Sequence, residues 1–162
     1  MIGRRLRLTD VRAVARGAVN HALALLLGRY RRTVGALALI RDEEGRVLIA
    51  RTAYPPRLWN LPGGRIEVPE RITHGLRREV HEETGLEVTP TRLLVVDTTS
   101  PRGVAFVFTC RVTGGDLRPA AGEIRALRWL EPEQVGELPY RVRMTVQAAL
   151  EAETFGGVRY RG

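Results

Sequence analysis

Residues Gly64–Leu86 read GRIEVPERITHGLRREVHEETGL and combine a loop, an amphipathic segment and a glycine stop. Within them, Arg71–Thr84 is predicted to form an α-helix, because apolar side chains recur at four-residue intervals, at Ile72, Leu76 and Val80. Gly85 follows at the position where helices commonly end in a left-handed residue. This pattern predicts that one side of the helix is buried and that the opposite side is left for charged groups.

The charged side of this helix carries three glutamates, Glu79, Glu82 and Glu83. Because Glu82 and Glu83 lie three and four residues beyond Glu79, their carboxylates project from one side and repel one another. A cation among them would relieve that repulsion, and clustered hard oxygen ligands suit Mg²⁺ or Mn²⁺. The alternative is a solvated acidic face paired with neighbouring arginines.

The spacing of residues in this stretch is that of a known family signature. Gly64 is followed after five residues by Glu70, and after seven more by REVHEETGL, Arg78–Leu86. The pattern resembles the signature box of the Nudix hydrolases at every defining position. The preceding WNLPGG and the later EIRALRWL also resemble the flanks of that family, so the resemblance covers roughly residues 33–155.

The resemblance implies an α/β protein, an α/β/α sandwich around a mixed sheet, that hydrolyses a nucleoside diphosphate linked to another moiety. It implies that Mg²⁺, with Mn²⁺ as the alternative, is held by Glu79, Glu82, Glu83 and the carbonyl of Gly63. Glu82 and Glu83 would be catalytic, Glu123 would serve as general base or additional ligand, and Glu70 and Arg78 would orient the helix. Such a site supplies what phosphoanhydride hydrolysis needs, neutralised phosphate charge and an activated water.

Three positions depart from the usual pattern of the family. Pro69 stands where Gly is usual, Arg71 where a Ser or Thr cap is common, and Gly75 where Ala is usual. A glycine inside a helix costs about 1 kcal/mol relative to alanine. These departures affect the loop and the stability of the helix, but every carboxylate of the box and its arginine are present.

Candidate substrate contacts lie at Arg51, Arg57, Arg65 and Trp59. The arginines suit bidentate contacts with phosphates and the tryptophan suits stacking on a base; their alternative roles are solvated arginines and a core residue. Pro101 stands fifteen residues beyond Leu86, as a proline does in the ADP-ribose-cleaving branch of the family. This favours ADP-ribose or another nucleotide sugar over a nucleoside triphosphate as substrate. A non-catalytic nucleotide-binding regulator is the third alternative.

The positive charge of the chain is concentrated at its N-terminus. The 162 residues include 26 arginines, no lysine and a formal net charge of +8. Residues 1–32 hold eight arginines and one aspartate, whereas the remainder holds eighteen arginines and seventeen acidic residues. Residues 9–28 predict a basic amphipathic helix with an apolar stripe at Val14, Ala18 and Leu25. The chain is therefore divided into an N-terminal helix extension, 1–30, and a Nudix-type domain, 31–162.

Two roles compete for this extension. Its apolar stripe would pack on the domain or on a second subunit, forming a homodimer, because soluble proteins normally bury such a surface. Alternatively, its arginines would contact RNA or anionic lipid through phosphates.

The other segments predict strands interleaved with a second helix. The predicted strands are Thr33–Ile40 and Val47–Arg51, joined as a hairpin, a short strand within Trp59–Leu61, and Arg92–Asp97, Val104–Val112 and Ile124–Leu130; the helix is Val142–Ala152. Cys110 is the single cysteine, which excludes an intramolecular disulfide, and it is expected to be a buried strand residue. The longest apolar run, ALALLL, is far short of the roughly 20 residues that span a bilayer, so no transmembrane segment is predicted and a cytoplasmic protein is expected.

Overall fold

The computed structural model describes residues 33–101 and 103–162, and the predicted N-terminal helix lies outside the described residues. The strands are β1 (Thr33–Ile40), β2 (Val47–Thr52), β3 (Trp59–Asn60), β4 (Gly63–Arg65), β5 (Leu86–Asp97), β6 (Gly103–Gly115), β7 (Ile124–Leu130) and β8 (Arg159–Arg161). The helices are α1 (Ile72–Thr84), a 3₁₀ helix (Pro132–Glu137) and α2 (Tyr140–Phe155).

The strands form two sheets. The larger has the order β4-β1-β6-β5-β8 and is mixed, since β1 runs parallel to β6 and β5 parallel to β8. The smaller is antiparallel, with the order β3-β2-β7. The predicted hairpin of β1 with β2 is wrong, because these strands belong to different sheets and meet at one bridge, Arg41–Val47. Ala38, Leu39 and Ile40 are fully buried, so β1 is an interior strand that takes partners on both edges.

The sheets lie between the two α-helices. Leu76 and Val80 of α1 belong to one buried cluster, and Val146 of α2 belongs to the other. Successive residues of β1 belong to different clusters, because side chains alternate between the two faces of a strand. Leu39 packs on the α2 side and Ile40 on the α1 side. The prediction of an α/β fold with helices on both faces of a mixed sheet is confirmed.

Helix α1 agrees closely with its predicted bounds. Arg71 takes the N-cap position with extended backbone, and Gly85 ends the helix in the left-handed region, at φ 74°. A Cβ at Gly75 would lie 2.6 Å from Glu70 Oε1 and 2.8 Å from Ile66 Cδ1. The glycine that weakens the helix therefore makes room for the Glu70 carboxylate.

Several elements are longer than predicted or were missed. β5 begins at Leu86, six residues before the predicted start, and α2 extends beyond the predicted Val142–Ala152 at both ends. β4 reads GGR and β8 reads RYR, so neither shows the apolar alternation by which strands are recognised. Backbone pairing with β1 and β5 defines them instead.

Cys110 is buried on β6, as expected, and burial raises the pKa of its thiol to about 12. In the part of the chain that the structure describes, no helix is both long and apolar enough to cross a bilayer.

Candidate active site

Arg78 of α1 forms hydrogen bonds with several groups of the stretch Gly64–Leu86. Its guanidinium bonds both carboxylate oxygens of Glu70, Nη2 to Oε1 at 2.7 Å and Nε to Oε2 at 3.3 Å. Nη1 donates to Glu79 at 2.8 Å and to Glu82 at 3.1 Å, and Nη2 donates to the carbonyl of Arg65 at 3.2 Å. The hydrogen bond from Arg78 lowers the pKa of Glu70. Charge-assisted, bidentate contacts of this kind fix the orientation of the groups they join.

Glu83 faces the backbone of β4. Its Oε2 accepts a hydrogen bond from the N–H of Gly63 at 2.9 Å. Burial raises the pKa of Glu83 to about 8; the Gly63 N–H opposes this rise, and the charges of Glu79, Glu123 and Glu82 add to it. A cation beside a carboxylate that is desolvated and surrounded by like charges would lower its pKa again.

Glu79 lies directly against the strand that precedes the helix. A Cβ at Gly64 would collide with the Glu79 carboxylate, whose side chain is 19% exposed. Burial raises the pKa of Glu79; contacts with Arg78 oppose the rise, and the charges of Glu82 and Glu123 add to it. The glycine that opens the box is required because the carboxylate occupies the space of a side chain.

The loop before β7 brings Glu123 to these carboxylates. The N–H of Ala120 donates to the carbonyl of Glu83 at 3.1 Å, and the carbonyl of Glu123 accepts from the N–H of Ala53 at 2.8 Å. Glu123 is exposed, yet its charge acts on both partly buried glutamates of α1. The same three carboxylates also act on Tyr54, because burial raises the pKa of its phenol and their charges raise it further. The charge of a fourth carboxylate therefore adds to those on the acidic side of α1.

The acidic cluster, defined as Glu79, Glu82, Glu83 and Glu123, fits a divalent cation by the chemistry of its donors. All are carboxylates, the ligands that Mg²⁺ and Mn²⁺ prefer, and a cation would offset the burial and the like charges that raise the pKa of Glu79 and Glu83. Within residues 33–101 and 103–162, no three His, Cys, Asp or Glu side chains already converge to hold a metal ion. In this conformation Arg78 bonds two members of the cluster instead.

Three of the predicted substrate contacts form a group of their own. The Arg51 guanidinium lies over the Trp59 ring, 5.8 Å from its centroid, and Arg51 Nε donates to the carbonyl of Arg57 at 3.1 Å. Trp59 packs against the buried cluster on the α2 side. Arg65 is exposed at the end of β4, where its carbonyl bonds Arg78. The contacts of these four side chains with a substrate stay predictions.

A pocket of ≈ 280 Å³ opens on the α2 side of β1. Its polar lining includes Asn60 of β3, Thr99 in the loop after β5, and Arg141 of α2. Leu37 of β1 connects it with the acidic cluster, because Leu37 lines the pocket and pairs with Gly63, whose N–H bonds the cluster. The pocket and the cluster are thus neighbours across one pair of strands.

A family model described as the NUDIX domain matches residues 29–149 of this chain. The chain belongs to the Nudix hydrolase family. The matched range contains the acidic cluster, Arg78 and all the strands from β1 to β7. The resemblance read from the box is therefore confirmed over most of the sequence.

Several relatives of this Nudix protein carry enzyme names. A MutT-like protein of Streptomyces ambofaciens is 40% identical over 106 residues, which are 65% of this chain and 68% of that protein. Human 8-oxo-dGDP phosphatase NUDT18 is 43% identical over 84 residues, 51% of this chain, and the chain spans 26% of its length. The crystal structure of an ADP-ribose pyrophosphatase from Streptococcus suis is 26% identical, with a TM-score of 0.65 over 80% of this chain and 97% of that chain.

The pocket residues Asp97, Thr99 and Arg141 lie outside the Nudix box and were not predicted. One signal was available, since Asp97 ends the apolar run LLVV and a buried carboxylate requires a partner. That partner is Arg161, 64 residues further along the chain, on the strand that the pattern does not reveal.

Proposed function

We propose that this protein hydrolyses a phosphoanhydride bond in a nucleoside diphosphate derivative and that the reaction depends on a divalent cation. The acidic cluster carries the proposal, because Glu79 and Glu83 lie against the β4 backbone and the charges of Glu82 and Glu123 act on both of them. Membership of the Nudix family and the enzyme names of the relatives support it. In reactions of this type, stabilisation of the charge that develops in the transition state is usually the largest contribution.

Glu79, Glu82 and Glu83, with the carbonyl of Gly63, are proposed to hold Mg²⁺ or Mn²⁺. When bound, such an ion neutralises phosphate charge and lowers the pKa of a coordinated water. The three side chains come from one helix that is fixed in the core, so their relative positions are set before substrate arrives. Two members of the set are desolvated, and this strengthens their attraction for a cation.

Arg78 and Glu70 are proposed to position these ligands. Glu70 bonds the guanidinium of Arg78 in two places, which leaves Nη1 directed at Glu79 and Glu82. Glu123 is proposed as the general base that accepts a proton from the attacking water. Its exposed position beside the cluster supports this role, since a proton taken up there can pass to solvent.

The nucleoside part of the substrate is proposed to enter the pocket beside β1. Asn60 offers amide donors there, since its Oδ1 accepts from the N–H of Leu61 at 2.9 Å, and Arg141 adds a cation. The pairing of Leu37 with Gly63 keeps this pocket next to the acidic cluster, so one substrate can reach both. Arg51, Arg57, Arg65 and Trp59 remain proposed contacts for the rest of the substrate.

ADP-ribose or another nucleotide sugar is the favoured substrate class. The position of Pro101 and the fold shared with the Streptococcus suis ADP-ribose pyrophosphatase support it. An oxidised guanine nucleotide is the second candidate, favoured by the sequence identity with the human 8-oxo-dGDP phosphatase. Product analysis separates them: AMP and a sugar phosphate support the first, and a nucleoside monophosphate with pyrophosphate or phosphate supports the second.

The test is an assay of purified protein with Mg²⁺ or Mn²⁺, with EDTA as the metal-free control, on ADP-ribose, nucleotide sugars, nucleoside triphosphates and 8-oxo-dGDP. Glu82→Gln and Glu83→Gln should each lower turnover by about 10²–10³-fold, the usual effect of removing one group that stabilises transition-state charge. Glu87→Gln, an exposed change just beyond α1, is the matched control and should retain activity. Absence of turnover on every substrate, or turnover that survives both cluster variants, would contradict the proposal.

For the N-terminal segment we propose a structural extension, residues 1–30, whose apolar stripe packs on the domain or on a second subunit. The NUDIX match begins at residue 29, which supports a boundary there. Deleting residues 1–30 should lower the melting temperature or dissociate an oligomer while metal-dependent hydrolysis persists. Unchanged stability together with loss of salt-sensitive binding to RNA or anionic liposomes would favour the electrostatic role instead.

A further inference from the structure

We infer that Arg161, on β8, is a positioning residue of the substrate pocket and that it sets selectivity for the nucleoside part of the substrate. The inference rests on the proposed function, because it takes the pocket beside β1 as the nucleoside site. It is carried by a hydrogen-bond network that joins the end of β5, the first turns of α2 and β8.

Arg161 reaches into the wall of the pocket. Its Nη1 donates to Asp97 Oδ2 at 2.7 Å and to Thr145 Oγ1 at 2.6 Å, and both of these residues line the pocket. The Arg161 side chain is 17% exposed and that of Asp97 is 11% exposed, so the ion pair is largely removed from water. Loss of one partner would leave the other charge buried and unpaired, which forces the wall to rearrange.

Asp97 links Arg161 to Thr99 through hydrogen bonds. Its Oδ1 accepts the N–H of Thr99 at 2.9 Å and the Thr99 hydroxyl at 2.6 Å, while Oδ2 accepts Thr145 at 3.0 Å and Arg161. Because both carboxylate oxygens bond protein groups, Asp97 holds the wall together and leaves ligand contacts to its neighbours. The carbonyl of Thr99 accepts Arg141 Nη2 at 2.6 Å, so the network places two pocket-lining residues.

The backbone of β8 fixes the same loop. The N–H and the hydroxyl of Thr98 both donate to the carbonyl of Arg161, at 2.7 and 2.9 Å. The pocket-lining residues Thr99 and Arg141 are thus positioned by a strand on the far side of Asp97. Small displacements of binding groups change how a substrate is held, so we expect selectivity to respond to Arg161 while the acidic cluster stays intact.

Three substitutions and one matched control test this inference. Arg161→Met keeps the aliphatic stem and removes the charge and the hydrogen bonds, and Arg161→Lys restores the charge alone. Thr99→Val removes a pocket hydroxyl at a partly exposed position, and keeps the test open if Arg161→Met does not fold. Arg159→Met is the control, because Arg159 lies on the same strand and donates to the carbonyl of Gly156 at 3.5 Å.

Two measurements are needed, with the melting temperature as a check on folding. The first is calorimetric binding of AMP, GMP and UMP to metal-free protein. The second is kcat and KM on ADP-ribose, GDP-mannose and UDP-glucose with Mg²⁺. Binding without metal requires no hydrolysis, so a wild-type protein that binds nucleotides but turns over none of the sugars would contradict the proposed function alone.

We expect Arg161→Met to weaken nucleoside monophosphate binding about tenfold, equivalent to about 1.4 kcal/mol, and to raise KM by a factor that differs among the bases. The kcat of Arg161→Met should change little. Arg161→Lys should recover part of the lost binding affinity, and Thr99→Val should also weaken binding and raise KM. Arg159→Met should resemble wild type in both measurements. Unchanged binding and KM ratios in folded Arg161→Met or Thr99→Val protein would overturn the inference. An Arg161→Met variant that loses kcat equally for all three bases would also overturn the inference. The same holds if the wild-type protein is active but binds no nucleoside monophosphate.

Discussion

Replacing Glu83 by Gln should stabilise the metal-free protein at neutral pH while it lowers turnover by about 10²–10³-fold. The carboxylate of Glu83 is desolvated and surrounded by Glu79, Glu123 and Glu82, with the N–H of Gly63 as its hydrogen-bond donor. In the proposed function this repulsion is offset by a divalent cation. Without the cation it is a cost to folding, and a neutral side chain of the same shape removes it while keeping an oxygen for the Gly63 N–H.

The size of the effect follows from the pKa of Glu83, about 8 against an ordinary value of 4.5. Because the folded state raises this pKa, the contribution of Glu83 to the stability of wild type is most favourable below pH 4.5, falls as the pH rises toward 8, and is constant above. At 1.36 kcal/mol per pKa unit, the cost at pH 7 reaches about 3 kcal/mol as an upper value. We therefore expect Glu83→Gln to gain about 1–3 kcal/mol near pH 7.5, at about 2–4 °C of melting temperature per kcal/mol, and almost nothing near pH 4.5.

The assay is urea unfolding in EDTA at several pH values between 4.5 and 8. Glu82→Gln is the matched control on the same helix, since the Glu82 side chain is 52% exposed and its loss removes an exposed ion pair worth about 0.2–1 kcal/mol. Adding Mg²⁺ should stabilise wild type through binding to the folded state and should have a smaller effect on Glu83→Gln. A Glu83→Gln variant that is less stable than wild type at pH 7.5, or whose gain is the same at pH 4.5, refutes the reasoning.

Three further predictions use other parts of the molecule. Gly64→Ala should displace the Glu79 carboxylate and weaken Mn²⁺ binding, measured by titration, about tenfold, or about 1.4 kcal/mol; Gly136→Ala, where a Cβ meets nothing within 4 Å, should leave it unchanged. Burial opposes a low pKa at Asp97, but hydrogen bonds from Thr99 and Thr145 and the charge of Arg161 outweigh it and lower the pKa. Asp97→Asn should therefore lower the free energy of unfolding by about 3 kcal/mol above about pH 4, because it breaks a buried pair. This difference from wild type should be lost as the pH falls further, and unfolding curves at pH 3–6 would show it. Cys110 is buried with a raised pKa, so a thiol reagent should modify it in denaturant and hardly at all in native protein; rapid native labelling would contradict its placement.

The parts of this structure that the sequence predicts well are local. Helix α1 could be placed within a residue or two because its apolar spacing and its terminal glycine lie in one continuous stretch. The acidic cluster followed from the same stretch, since residues three and four apart on a helix share a face whatever the rest of the chain does. Strands β1 and β7 were also predicted with the correct bounds, because their apolar residues form short runs between turns.

The parts that could not be predicted depend on contacts between distant segments. The turn after β1 favours a hairpin, but β1 pairs instead with β4 and β6, a choice that depends on which strands can cover a doubly buried surface. β8 is short and charged, and it exists as a strand because β5 offers a free edge and Asp97 offers a partner for Arg161. No pattern within either segment specifies that pairing, so the pocket wall built on it was also missed.

The contact between β4 and β1 explains why the two halves of the proposed site belong together. Gly63 has φ of 130°, and a Cβ there would collide with the carbonyl of Ala36, so only glycine lets β4 approach β1 this closely. From that position its N–H reaches Glu83 on the α1 side, and its partner Leu37 lines the pocket on the α2 side. The distance from the pocket to the acidic cluster is therefore set by backbone pairing, which is stiffer than any side-chain contact. In the proposed function, a substrate that spans the two would be held by a rigid strand pair, and this would favour ligands in which the nucleoside and the phosphoanhydride are directly joined.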